Sequence, residues 1–283
     1  MTSIDKPFVK KSFNASASTY DHYAKLQDEM GARLLELAEL HPETTARVLD
    51  IGMGTGNLTA QLRAAYPAAR VHGCDIALNM ISQARGKLAQ APLLFAGADA
   101  EKLPYTSSAF DLVASSFTYQ WLEQWREALG EVIRVLRPEG QFILSAFGAD
   151  TFCELRQAFT LACTEKNYAL GEALALPITE ERMHGEMADA GFSHVSGLTS
   201  RVTVVYASVN ELVRAIKGMG ARNASTHRNR STGVRRVWRR MTEIYEQKFG
   251  IAGGVPATFE IIMAKGKKNR GFEVLSRRPE SKP

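Results

Sequence analysis

Residues 50–56 read Asp-Ile-Gly-Met-Gly-Thr-Gly. Glycines at 52, 54 and 56 allow a tight turn and a close approach of backbone to a ligand. A dinucleotide site prefers the spacing GxGxxG, with a helix N-terminus facing a pyrophosphate. Here the spacing is GxGxG and an acid, Asp50, precedes it, which repels phosphate and suits a cation. A second acid, Asp75, lies 19 residues after Gly56. A carboxylate there can accept both ribose hydroxyls, a feature that NAD enzymes share, so it points to a nucleoside without choosing which. A third acid stands in Gly97-Ala98-Asp99-Ala100. Asp99 is placed to accept from an adenine amino group, with the Ala100 backbone as donor. Each has a plainer reading alone: turn glycines, a helix-capping Asp50, an Asx turn at Asp99. Met80 lies either under the adenine or in the core.

The elements that position these residues follow from periodicity. Arg47–Ile51, Arg70–Asp75, Leu93–Gly97, Phe110–Phe117 and Gln141–Phe147 read as strands, and Asn57–Tyr66, Ala77–Leu88 and Gln124–Leu136 as helices between them. Alternation at this spacing predicts an α/β, Rossmann-like, mainly parallel sheet, with its acids and glycines gathered at the carboxyl ends of the strands. Upstream, an amphipathic helix is expected over 25–40, stopped at His41-Pro42. Downstream, helices are expected over 151–164 and 179–190, and strands over 202–206 and 258–264. The predicted organisation is an N-terminal helical cap (1–44), a main domain (45–265) with lid insertions at about 151–198 and 207–256, and a charged, disordered tail (266–283). S-adenosylmethionine, which carries an ammonium and a sulfonium and no phosphate, is the nucleoside that fits three acids at three strand ends.

The run Val48–Thr59, with Asp75, Asp99-Ala100 and Phe110-Asp111-Leu112-Val113, resembles the class I methyltransferases over about residues 45–150. That resemblance implies a seven-stranded sheet with its last strand antiparallel. Further segments are similar to the malonyl-carrier-protein O-methyltransferase family of biotin synthesis, over about residues 10–265. These are Ser12–Asp21, Ser115–Trp121, Ala128-Leu129 with Glu131 and Arg134–Pro138, and Ile216-Lys217-Gly218-Met219-Gly220-Ala221. The chain departs from the usual pattern at Met53, where Cys is frequent, and a Met there is not expected to block the cofactor. The resemblance implies methyl transfer to the free carboxylate of a malonyl thioester on acyl carrier protein or coenzyme A. A carboxylate is already ionised at neutral pH, so no general base is required. Donors gripping its other oxygen are the expected machinery, with Tyr20, Gln120, Lys217 and Asn223 as candidates by motif position. The cofactor set is Asp50, Gly52, Gly54, Gly56, Asp75, Met80, Asp99, Ala100 and Ser116. Trp121 reads as a hydrophobic wall.

Between Leu212 and Thr242 stand nine Lys or Arg and no Asp or Glu. Acyl carrier proteins are acidic, so Arg214, Arg222, Arg228, Arg235, Arg236, Arg239 and Arg240 are expected to form a docking face, with 235, 236, 239 and 240 on one side of a helix. The net charge of +5 at pH 7 is otherwise moderate. Three scattered cysteines suggest a reducing compartment and no disulfide framework. Metal-ligand spacings, a secretory signal and a membrane-spanning run are not found in the sequence, so a cytoplasmic protein without metal is expected. A small-molecule methyltransferase (quinone-precursor or carboxylate type) is a competing reading, opposed by the Lys-Gly-x-Gly-Ala run and the acid-free insertion. A nucleic-acid methyltransferase lacks its Asn/Asp-Pro-Pro-aromatic motif here. A non-catalytic carrier-binding protein conflicts with the intact glycine turn and Asp75.

Overall fold

The computed structural model describes residues 4–168, 178–220 and 234–270. Seven strands form one sheet: β1 (Arg47–Ile51), β2 (Arg70–Asp75), β3 (Leu94–Gly97), β4 (Phe110–Ser116), β5 (Leu136–Phe147), β6 (Phe192–Tyr206) and β7 (Val255–Lys268). Their order is β3-β2-β1-β4-β5-β7-β6. The β1–β2, β2–β3, β1–β4 and β4–β5 pairs are parallel, and β7 runs antiparallel to both β5 and β6. The expected seven-stranded sheet with its last strand antiparallel is therefore what forms. The chain departs from β1 to one side through β2 and to the other through β4. This switch opens a crevice at the carboxyl ends of the strands, where ligands of open α/β sheets bind.

The interior strands are apolar because helices cover both faces. Along β5, Ile143 and Phe147 join one core, shared with Met30 and Leu34. Phe142, Leu144 and Ala146 join the other, with Leu129 and Val132. That alternation is the two-residue period of a strand. The covering helices are α3 (Lys25–Leu35), α4 (Asn57–Ala65), α5 (Leu78–Lys87), α6 (Trp125–Val135), α7 (Cys153–Glu165), α8 (Glu180–Asp189), α9 (Val209–Gly218) and α10 (Val234–Phe249). Two more, α1 (Lys6–Ser16) and α2 (Tyr20–Tyr23), precede them. At the start of α9, Ser208 accepts from the Glu211 N–H at 3.2 Å, and the Glu211 carboxylate accepts from the Ala207 N–H at 2.7 Å. This reciprocal cap fixes where the helix begins.

Several expectations change. The helix expected over 25–40 ends at Leu35 and continues only as a turn. β6 begins at Phe192 rather than residue 202, so residues 192–198 are sheet. β7 starts at Val255 and continues to Lys268, so residues 266–268 are strand rather than tail. The charges at that end are used: Lys268 donates to the Leu136 carbonyl at 2.7 Å, while Lys265 and Lys267 pair with Glu39. Residues 137–140, which precede the strand expected over 141–147, fall within β5 beside an irregularity in its pairing with β4.

Candidate cofactor and substrate site

The turn after β1 has φ of +71° at Gly52, +55° at Gly54 and +86° at Gly56. These are left-handed values that side-chain-bearing residues avoid. Gly52 is also closed by contact, since a Cβ there would lie 2.0 Å from Thr118 Oγ1. The Gly52 and Met53 N–H groups both donate to the Cys74 carbonyl, at 2.8 and 3.0 Å, which ties the turn to the end of β2. The Met53 sulfur packs where a Cβ on Gly73 would sit, and Met53 does not line the cleft.

Asp75 is fixed by backbone donors. Oδ2 accepts from the Gly54 N–H at 2.9 Å and Oδ1 from the Ala77 N–H at 2.7 Å. A carboxylate has about four lone-pair sites, so capacity remains for a ligand. Burial raises the Asp75 pKa and the backbone bonds oppose that rise. Asp50 is buried, with Oδ2 accepting from the Thr59 hydroxyl at 2.6 Å and Oδ1 without a partner. Desolvation pushes its pKa up to about 7, helped by the charge of Asp75 and opposed by Thr59.

The cleft at these strand ends measures about 700 Å³ with its open mouth included. That is the size range of small-molecule sites. Of the expected cofactor residues, Gly52, Gly54, Asp75, Met80, Asp99, Ala100 and Ser116 line it, and so do Tyr20 and Trp121. Met80 is both things the sequence allowed, a cleft wall and a core residue packed with Ala17 and Ala77. Ser116 shares a 3.0 Å hydrogen bond with Ser145.

Asp50 and Gly56 do not line the cleft; Gly56 caps the start of α4 instead. Gln120 also lies off it, buried, with Oε1 unpartnered among the described residues. The reason is the 3-10 turn Tyr119–Trp121, which brings Trp121 to the cleft. Lys217 is exposed at the end of α9 and does not line the cleft, and Asn223 lies outside the described residues.

The glycines beside Lys217 have a packing role. A Cβ on Gly218 would meet the Tyr23 ring at 2.2 Å, and one on Gly220 (φ +73°) would meet Phe13 at 2.8 Å. They allow α9 and the N-terminal helices to approach closely. Glu131 and Arg134 brace the loop after β3. Glu131 accepts from the Leu103 N–H at 2.7 Å, and Arg134 donates to the carbonyls of Tyr105 and Leu103 at 2.6 and 3.0 Å. Asp111 accepts from the N–H groups of Ala46 and Arg47 and pairs with Arg137 at 2.6 Å, anchoring the start of β1.

Residues 49–144 match the family described as Methyltransferase domain. A malonyl-[acyl-carrier protein] O-methyltransferase from Geobacter sulfurreducens is 35% identical over 266 residues, covering 94% of this chain and 100% of its own. One from Laribacter hongkongensis is 36% identical, covering 91% of this chain and 88% of its own. The chain belongs to the malonyl-[acyl-carrier protein] O-methyltransferase family. Among solved structures, the YcgJ protein from Bacillus subtilis superposes with a TM-score of 0.57 at 18% identity, covering 85% of this chain and 98% of its own. A phosphoethanolamine N-methyltransferase from Haemonchus contortus, solved with S-adenosyl-L-methionine, gives 0.54 at 16%, covering 90% of this chain and 57% of its own. At these identities the likeness speaks for the fold.

In this family member the sequence reading missed the contribution of α1. Lys6, Val9 and Phe13 all line the cleft. They stand at i, i+3 and i+7, the stripe of one helix face, a signal the sequence does carry. Phe13 meets the Trp121 ring edge-on, with centroids 5.6 Å apart. Phe117, a further wall residue, holds φ of +52°, an uncommon conformation for a bulky side chain.

Proposed function

We propose that this protein transfers a methyl group from S-adenosylmethionine to the free carboxylate of malonyl-acyl carrier protein. The product is the malonyl methyl ester that starts pimeloyl and biotin synthesis. The observation that carries this reading is the full-length match to the Geobacter sulfurreducens relative, 35% identical with 100% of that relative covered. The chemistry of the cleft supports the cofactor: the carboxylates of Asp75 and Asp99 both line it. Asp75 would accept from the ribose, Asp99 and Ala100 would hold the adenine, and Met80 would pack against it. Gly52 and Gly54 let the backbone come close. The cofactor supplies an electrophilic methyl on a positively charged sulfur.

The protein's own residues bind, orient and exclude water. The Tyr20 pKa is raised, first by burial and then by the charges of Asp75 and Asp21. Tyr20 therefore stays protonated and serves as a hydrogen-bond donor toward the substrate carboxylate, with no base needed. Phe13, Phe117 and Trp121 make an apolar wall that keeps water out. Holding the reacting groups in line can lower the barrier by roughly 7–11 kcal/mol.

The carrier docks, in this reading, on a basic face made by Arg214 on α9 and Arg235, Arg236 and Arg239 on α10, all exposed. Arg240 leaves that set. It pairs with Glu165 at 2.5 Å and with Glu243 at 3.1 Å, so it holds α10 on α7 and its charge is already matched. Arg222 and Arg228 lie outside the described residues. In this reading the protein works in the cytoplasm, beside its carrier. The test is transfer of labelled methyl to malonyl-carrier protein beside acetyl-carrier protein, which lacks the free carboxylate. The reading expects label on the first alone, and equal labelling of both would overturn it.

A further inference from the structure

Helix α1 brings one cation to the cleft. Lys6 lines it, and its ammonium bonds Asp99 Oδ2 at 2.8 Å and the carboxylate of Glu101. Both acids belong to the turn after β3, and Asp99 Oδ1 accepts from the Glu101 N–H at 3.0 Å. The Lys6, Asp99 and Glu101 side chains are 29%, 31% and 11% exposed, so their charges meet in a partly dry place. Without Lys6, two carboxylates would face one another across this turn with no counter-ion from α1, and like charges so placed repel. Lys6 stays charged, since burial acts against its charge and the two acids outweigh it. Two lone-pair sites remain on Asp99 once these bonds are made.

We propose that Lys6 is a positioning residue. Closure of α1 neutralises and aims Asp99, so that grip on the adenine and release of the spent cofactor are governed by an ion pair between lid and cleft floor. This rests on the cofactor lying in the cleft with its adenine toward Asp99. A further ionic tie of the cap near this cleft, Asp21 to Lys87 at 2.9 Å, is 47% and 38% exposed. A pair so exposed is worth little in water, so its loss should change release little.

The experiment is stopped-flow release of S-adenosylhomocysteine, read by fluorescence of Trp121 on the cleft wall, from about 0.05 to 0.5 M salt, a range over which exposed charges become screened. Wild-type release should speed up with salt. Lys6→Met should release about tenfold faster at low salt and lose most of the salt slope, Lys6→Arg should restore both, and Lys87→Met should keep the slope. Circular dichroism and thermal unfolding confirm that each variant is folded. Unchanged release from Lys6→Met, or a slope lost in Lys87→Met and kept in Lys6→Met, overturns the proposal. A folded wild-type chain that bound no S-adenosylhomocysteine would overturn the cofactor placement and the latch together. Normal binding with salt-independent release would overturn the latch alone.

Discussion

Replacing Asp75 by Asn separates the two tasks its carboxylate performs. The side chain keeps its shape, but one oxygen becomes an NH2 group. In the native chain the two oxygens accept from Gly54 N–H at 2.9 Å and Ala77 N–H at 2.7 Å. An amide can serve only one of them, and the other N–H then faces a donor. A buried donor left unsatisfied costs about 1–3 kcal/mol, so the free protein should unfold more easily by that amount. The second loss appears only with ligand. Hydrogen bonds to a charged acceptor are worth about 1.5–3 kcal/mol, which is roughly a 10- to 150-fold rise in Kd for the nucleoside if one ribose bond is lost. Denaturant unfolding of the free protein gives the first quantity and calorimetric titration with S-adenosylhomocysteine gives the second. A folded Asp75→Asn variant that bound the nucleoside as tightly as wild type would refute the placement of the ribose at the end of β2.

Four further outcomes follow from the same geometry. Asp50 has a folded pKa of about 7, raised by burial, so the native state holds a proton that the unfolded chain sheds near pH 4. Stability of the free protein should therefore fall as pH rises from about 4 to 7 and level off above. Asp50→Asn should remove that part of the slope, and an unchanged unfolding profile across this range would contradict the assignment. Gly52→Ala must adopt φ of +71° and push a Cβ against Thr118 Oγ1 at 2.0 Å. The backbone term alone is about 1–2 kcal/mol, so its melting temperature and its cofactor affinity should both drop. Charge reversal at Arg235 and Arg239 should weaken binding of malonyl-carrier protein at low salt, with little change near 0.5 M salt, where charges are screened. Reversal of Arg240 should instead loosen α10, seen as faster proteolysis or hydrogen exchange there, because its charge is taken by Glu165 and Glu243.

How much was legible in the sequence depended on where each residue sits. β1 has the expected bounds because a central strand buried on both faces is a near-continuous apolar run; β2 also has its expected bounds, although its sequence, Arg-Val-His-Gly-Cys-Asp, is mixed. β6 is an edge strand, half-exposed along its length, and its first ten residues carry Ser, His, Gly, Thr and Arg. It contains an irregularity between Ser193 and Ser196, with His194 at φ +51°, so its apolar alternation is broken. At Gly197 the β7 backbone comes so close that a Cβ would lie 2.2 Å from the Met263 carbonyl oxygen, a contact no local pattern announces. The end of β7 was hidden by its lysines, whose partners Glu39 and Leu136 are far away in the chain.

The glycine turn and acids were readable because backbone conformation and charge are local properties. Which neighbour in Gln120-Trp121 reaches the cleft depended on a 3-10 turn that periodicity does not resolve. The Lys-Gly-Met-Gly run suggested a substrate lysine, yet its glycines are explained by Tyr23 and Phe13 packing on them. Lys6 was passed over as one more charge near a terminus, since its meaning lies in Asp99 and Glu101, more than ninety positions on.

The measurement closest to the central claim is mass spectrometry of intact malonyl-carrier protein after incubation with this protein and S-adenosylmethionine, with fragmentation of the phosphopantetheine arm. One added methylene unit on the terminal malonyl carboxylate is the predicted result. A methyl group found elsewhere on the carrier, or a mass left unchanged by folded protein that binds the cofactor, would contradict it.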